Sequence, residues 1–136
     1  MEKYTLEDDI KVFCETAKSF PDGIIAAHKE LESIISFSKQ RRYFGILSTN
    51  VKGVIVYKAA AEEIYQGEAE ELGCETIVIE SGKYICLVFE DYIRNIPDVE
   101  KAFQLLDGYP GIDPDGYCIE WYMNEKDVRY MVKLIS

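Results

Sequence analysis

One carboxylate stands out in this chain. Glu120 lies in Tyr117-Cys-Ile-Glu-Trp-Tyr-Met123, a run that is otherwise aromatic and apolar and carries no second charge. Strand alternation places Cys118, Glu120 and Tyr122 on one face and Tyr117, Ile119 and Trp121 on the other. Two arrangements are open at this level. Glu120 faces water while Ile119 and Trp121 are buried, or it is itself buried among rings. In an apolar cavity, burial drives an unpaired carboxylate toward its neutral form. A cation entering such a cavity relieves that penalty and gains about 0.5–2 kcal/mol from each aromatic face it meets. Flat, greasy cations suit such a site, and no fixed hydrogen-bond pattern is required of them.

The elements that would position this residue come in two similar sets. Ser19-Phe-Pro-Asp-Gly23 and Asn95-Ile-Pro-Asp-Val99 share a small polar residue, an apolar residue, Pro and Asp. That pattern reads as a helix start, with a capping side chain, a first-turn proline and an acid at the positive helix end. Ile10–Ala17 precedes the first signal as a strand. Thr76–Glu80, Ser81-Gly82 and Lys83–Phe89 precede the second as one bent strand or two short ones. Apolar residues from Ile24 to Ile35 and from Val99 to Leu106 recur at helical spacing.

Two strands are predicted after each helix: Tyr43–Ser48 and Val54–Ala59, then Tyr117–Met123 and Val128–Ile135. Ala61–Gly73 reads as a short acidic helix ended by Gly67 or Gly73. The predicted fold is α+β: duplicated β-α-β-β halves, about 8–60 and 74–135, related by a pseudo-twofold axis. Helices would lie on one side of an antiparallel sheet, with a central pocket. Shifted by the repeat, Phe44 falls opposite Glu120.

At 136 residues, 48% of them hydrophobic, the chain reads as one folded domain across residues 1–136. A formal net charge of −10 repels phosphate backbones, which argues against direct nucleic-acid binding. No stretch approaches the length of a membrane span, and no signal peptide is evident, so a soluble, cytoplasmic protein with reduced thiols is expected. Cys14, Cys74, Cys86 and Cys118 are dispersed without a C-x-x-C pair, and neither a metal site nor a cofactor is expected. The only histidine, His28, reads as structural rather than as a haem ligand or a catalytic base.

Glu80-Ser-Gly-Lys-Tyr84, then a strand, a helix and Ile119-Glu-Trp-Tyr122, resembles the GyrI-like small-molecule-binding family. That fold forms the effector-binding domain of multidrug-sensing bacterial transcription activators. Ser19–Gly23 and Arg42-Tyr-Phe-Gly-Ile46 resemble its first half, so the likeness spans the chain. The resemblance implies that Glu120 sits in the central pocket and pairs with cationic aromatic ligands. Tyr57, Tyr84, Tyr122 and Tyr130 would wall it, with Tyr43 or Phe44 from the opposite strand and Trp121 beside the glutamate. No helix-turn-helix segment is recognised, so the expectation is a stand-alone binder of a small hydrophobic or cationic molecule.

Two other activities fit the same resemblance. Some stand-alone members resemble hydrolases that open strained rings in DNA-alkylating natural products, with Glu120 as general base and Tyr122 or Tyr130 assisting. Others act on a protein partner, as gyrase inhibitors do. There the acidic cluster Glu62, Glu63, Glu68, Glu70 and Glu71 would be the docking surface, against its plainer reading as a solvated helix face.

Overall fold

The computed structural model describes residues 1–20, 22–35, 40–90, 99–124 and 126–135. In chain order its elements are β1 (Glu2–Leu6), β2 (Ile10–Thr16), α1 (Ile24–Ile34), β3 (Tyr43–Thr49), β4 (Ile55–Glu62) and α2 (Glu68–Leu72). They continue with β5 (Glu75–Ile79), β6 (Gly82–Phe89), α3 (Val99–Asp107), β7 (Cys118–Tyr122) and β8 (Val128–Lys133). The α+β class expected from the periodicities is the class observed, with antiparallel pairing throughout the described ladders.

Two compact units divide the chain, one of residues 9–79 and one of residues 1–8 with 80–136. In the central unit the strand order is β3-β4-β2-β5; in the other it is β1-β6-β8-β7. The central unit runs β2-α1-β3-β4-α2-β5 without a break, whereas the other joins β1 to the later β6-α3-β7-β8 segment. β1 leads directly into β2 yet pairs with β6, from Glu2 opposite Cys86 to Leu6 opposite Gly82. β5 leads directly into β6 yet pairs with β2, from Ile10 opposite Ile79 to Cys14 opposite Glu75. The chain leaves one unit for the other between Ile79 and Glu80, just ahead of the Ser81-Gly82 step.

In the central unit, α1 packs on the sheet through Ala27 and Leu31, both buried. Its start differs from the sequence expectation. α1 begins at Ile24 with Gly23 as its N-cap and no capping side chain. Gly23 N–H donates to the Ser19 carbonyl at 3.1 Å, ahead of the helix. A Cβ on Gly23 would sit 2.5 Å from that carbonyl oxygen, which explains the glycine there. Pro21 and Asn95–Asp98, which carry the rest of the two helix-start signals, lie outside the described residues.

β4 runs to Glu62, beyond the Ala59 limit expected. Ala59, Ala60 and Ala61 are poor strand formers alone, but β4 pairs with β2 on one side and β3 on the other, and all three are fully buried. The acidic connector is helical only over Glu68–Leu72. Gly73, at φ 66°, closes it with Gly73 N–H donating to the Glu70 carbonyl and Cys74 N–H to that of Ala69.

Both strand pairs that follow the long helices turn on an asparagine. Asn50 Oδ1 accepts from Lys52 and Val54 N–H. Asn124 Oδ1 accepts from Lys126 and Asp127 N–H. In each turn a side-chain amide substitutes for missing backbone partners.

Candidate functional site

Glu120 is buried. Only 2% of it is exposed, in the middle strand position of β7. Its cross-strand partner is Tyr130 on β8, and cross-strand partners share a face. Registers through β8 and β6 put Cys118, Glu120, Tyr122, Val128, Tyr130, Ile85 and Leu87 on that same face. This face is the one α3 covers. Phe103 of α3 meets the Tyr130 ring edge-on at 5.2 Å, and Phe89 does so at 5.4 Å. The Tyr122 hydroxyl donates to Glu120 Oε1 at 3.0 Å. A buried carboxylate thus lies on a face that also carries a hydroxyl donor and edge-to-face rings. Between the two arrangements the sequence leaves open, the structure has the inward one.

Tyr84 and Trp121 lie elsewhere. Alternation sends both to the opposite face of the same sheet, so neither lines a wall shared with Glu120. Tyr84 is buried there, its hydroxyl donating to the Glu80 carbonyl. Trp121 joins Tyr4 and Arg129, whose guanidinium carbon lies 5.1 Å from the Trp121 ring and 4.3 Å from the Tyr4 ring. A cleft of about 260 Å³ lined by Met1, Glu2, Cys86, Leu87 and Val88 opens by the edge strand β1, and Glu120 is not among its lining residues.

In the central unit, Tyr57 and Tyr43 share the face that α1 covers. Tyr57 is buried, with its hydroxyl 2.7 Å from His28 Nε2 and Phe20 stacked on its ring at 6.2 Å. Burial pushes the His28 pKa down to about 4, so its ring is neutral near pH 7. Phe44, fully buried, points to the other face with Ile46, Ala60 and Val12. It is therefore not the counterpart of Glu120, which lies on the helix-covered face of its own unit. Counting a fixed repeat fails here because the faces are set by strand register, which an offset in sequence does not carry.

The acidic cluster is occupied internally. Glu68 makes a bidentate pair with Arg41 at 2.8 and 2.7 Å. Glu62 pairs with Arg42, and Glu63 and Glu70 both pair with Lys11. Glu71 accepts from the Tyr65 hydroxyl. These carboxylates tie α2 and its flanks to β2 and the β3 approach. Burial pushes the Cys14 and Cys86 thiols up to about 12, which leaves both as inert core groups. Among the described residues no group of three His, Cys, Asp or Glu could hold a metal ion, and no helix is long and apolar enough to cross a membrane.

With this geometry in view, the likeness lies in three dimensions rather than in sequence. Solved structures share the fold. An integron cassette protein from the mobile metagenome of Vibrio cholerae matches with a TM-score of 0.69 at 11% identity, over 98% of this chain and 94% of its own. SAV2435, solved bound to tetraphenylphosphonium, matches at 0.68 and 11% identity, over 98% and 94%. A hydrolase from Listeria innocua matches at 0.53 and 7% identity, over 98% and 90%. No model of a known protein family matches the chain, and no curated protein does.

Sequence reasoning missed the partners that define these sites. His28 lies one turn from Leu31 on the apolar side of α1, which signals burial but does not name Tyr57. Phe103 belongs to the helical apolar stripe, and only packing identifies it as the brace for Tyr130.

Proposed function

We propose that this protein binds small lipophilic cations against Glu120. The observation that carries the reading is the burial of that carboxylate on an aromatic, helix-covered sheet face, with the Tyr122 hydroxyl on one oxygen and Tyr130 across the ladder. A negative charge in such surroundings is poorly solvated. A soft cation offers it a counter-charge without the large dehydration cost of a small ion, and ring faces add to the attraction. The tetraphenylphosphonium bound by SAV2435 is a ligand of this chemical class on the same fold, and it supports the reading. GyrI-like effector binding is the corresponding biological role.

Titration of tetraphenylphosphonium into wild type and Glu120→Gln tests this directly. Wild type should bind at least about tenfold more tightly, a difference of about 1.4 kcal/mol. Equal affinities, or no binding to wild type, would reject the proposal.

The Glu120–Tyr122 pair also favours a second reading. A carboxylate beside a phenol is competent as a general base with an adjacent proton donor, and a hydrolase from Listeria innocua shares the fold. Incubation with an electrophilic cyclopropane would then yield a ring-opened water adduct, absent with Glu120→Gln. Recovery of unchanged compound after long incubation would dismiss it.

A further inference from the structure

We infer that Tyr122 is the positioning residue of the cation site, holding the Glu120 carboxylate in one orientation. This inference rests on the cation-binding reading above. Residues two apart on a strand lie on one face about 7 Å apart, and a tyrosine side chain can lean along the strand across that gap. The observed contact, 3.0 Å from the Tyr122 oxygen to Glu120 Oε1, is such a bond.

A hydroxyl donated to the carboxylate makes a strong, charge-assisted hydrogen bond and restricts a side chain that otherwise has three rotatable bonds. On the other side stands Tyr130, itself held between the edges of Phe89 and Phe103. The Tyr122 hydroxyl holds the carboxylate, with Tyr130 opposite Glu120 across the ladder. Tyr122 acts through Glu120, and its ring would still present the same surface if the hydroxyl were removed.

That separation gives the test. Methyltriphenylphosphonium and its near-isosteric neutral counterpart, triphenylphosphine oxide, are titrated calorimetrically into the full chain. The variants are wild type, Tyr122→Phe, Glu120→Gln and the double variant. Tyr122→Phe should weaken cation binding by about tenfold, as expected for one hydrogen bond to a charged group, while oxide binding stays within about twofold. The double variant should bind the cation no more weakly than Glu120→Gln alone, because the hydroxyl then has no charge to hold.

Undiminished cation binding by Tyr122→Phe, equal losses for both ligands, or losses that add in the double variant would each overturn the assignment. These outcomes leave the cation reading intact provided Glu120→Gln still weakens cation binding. Wild type and Glu120→Gln binding the cation equally would instead remove the underlying reading, and the role of Tyr122 with it.

Discussion

Tyr122 and Glu120 lie two residues apart on β7, the half-buried phenol donating to Oε1 of the buried carboxylate at 3.0 Å. A carboxylate in such a place has given up much of its hydration. Burying a charge is costly even when it is partly hydrogen-bonded. Glu120→Gln keeps the shape and an acceptor for Tyr122 while removing the charge. Its urea midpoint at pH 7 should equal or exceed that of wild type, by up to about 2 kcal/mol in stability. A marked loss of stability would show that the charge supports the fold.

The Arg41–Glu68 pair is of the other kind. Both residues are buried, at 7% and 5% exposure, and Arg41 also donates to the Glu62 carbonyl. The Arg41 hydrogen bonds hold the Glu68 carboxyl below the usual carboxylate range, helped by Ile64 N–H, against the opposing effect of burial. Because the folded-state pKa is depressed, the stabilisation is present above about pH 4.5 and is lost as pH falls further. Arg41→Met should cost about 3–5 kcal/mol at pH 7, since it strands a buried carboxylate. Adding Glu68→Leu should recover much of it, and urea denaturation of the three variants checks both statements.

His28 sets a second pH dependence, of opposite chemistry but the same direction. Its folded-state pKa, pushed to about 4 by burial, lies below the ordinary value of 6.5. Between these values the unfolded chain takes up a proton that the folded protein refuses. The contribution of neutral His28 is therefore complete above about pH 6.5 and falls by on the order of 3 kcal/mol toward pH 4. The stability difference between wild type and His28→Gln, measured by urea melts from pH 7 to pH 4.5, should shrink as pH falls. A difference that is constant with pH would count against a buried neutral imidazole.

Arg129 joins three strands of its unit. Its guanidinium lies over Tyr4 of the edge strand β1 and Trp121 of β7, and the two rings meet edge-on at 5.8 Å. Trp121 is the one tryptophan of the chain, so its fluorescence reports on this cluster. Tyr4→Leu should shift that emission and lower stability by about 1 kcal/mol. Unchanged emission would mean that β1 does not depend on the stack.

The elements that local pattern controls were legible. Helical spacing from Ile24 and from Val99, period-two runs around Tyr43 and Tyr117, and turn residues such as Asn50 and Asn124 each report a preference expressed over a few residues. β1 was not legible, because a five-residue segment becomes a strand only through a partner about 80 residues away. The same holds for the alanines of β4, which are strand because both sides of them are already paired.

At the candidate site the division is similar. Composition and alternation alone bring Glu120 and Tyr122 onto one strand face and exclude Trp121 from it, since a strand fixes the parity of its side chains. Which face is covered, and by what, was decided by packing. α3 lays Phe103 against Tyr130 on the Glu120 side, while register sends Tyr84, Ile119 and Met131 to the opposite face, where they too are buried. Side-chain direction is a property of the local backbone; burial belongs to whatever distant segment arrives to exclude water.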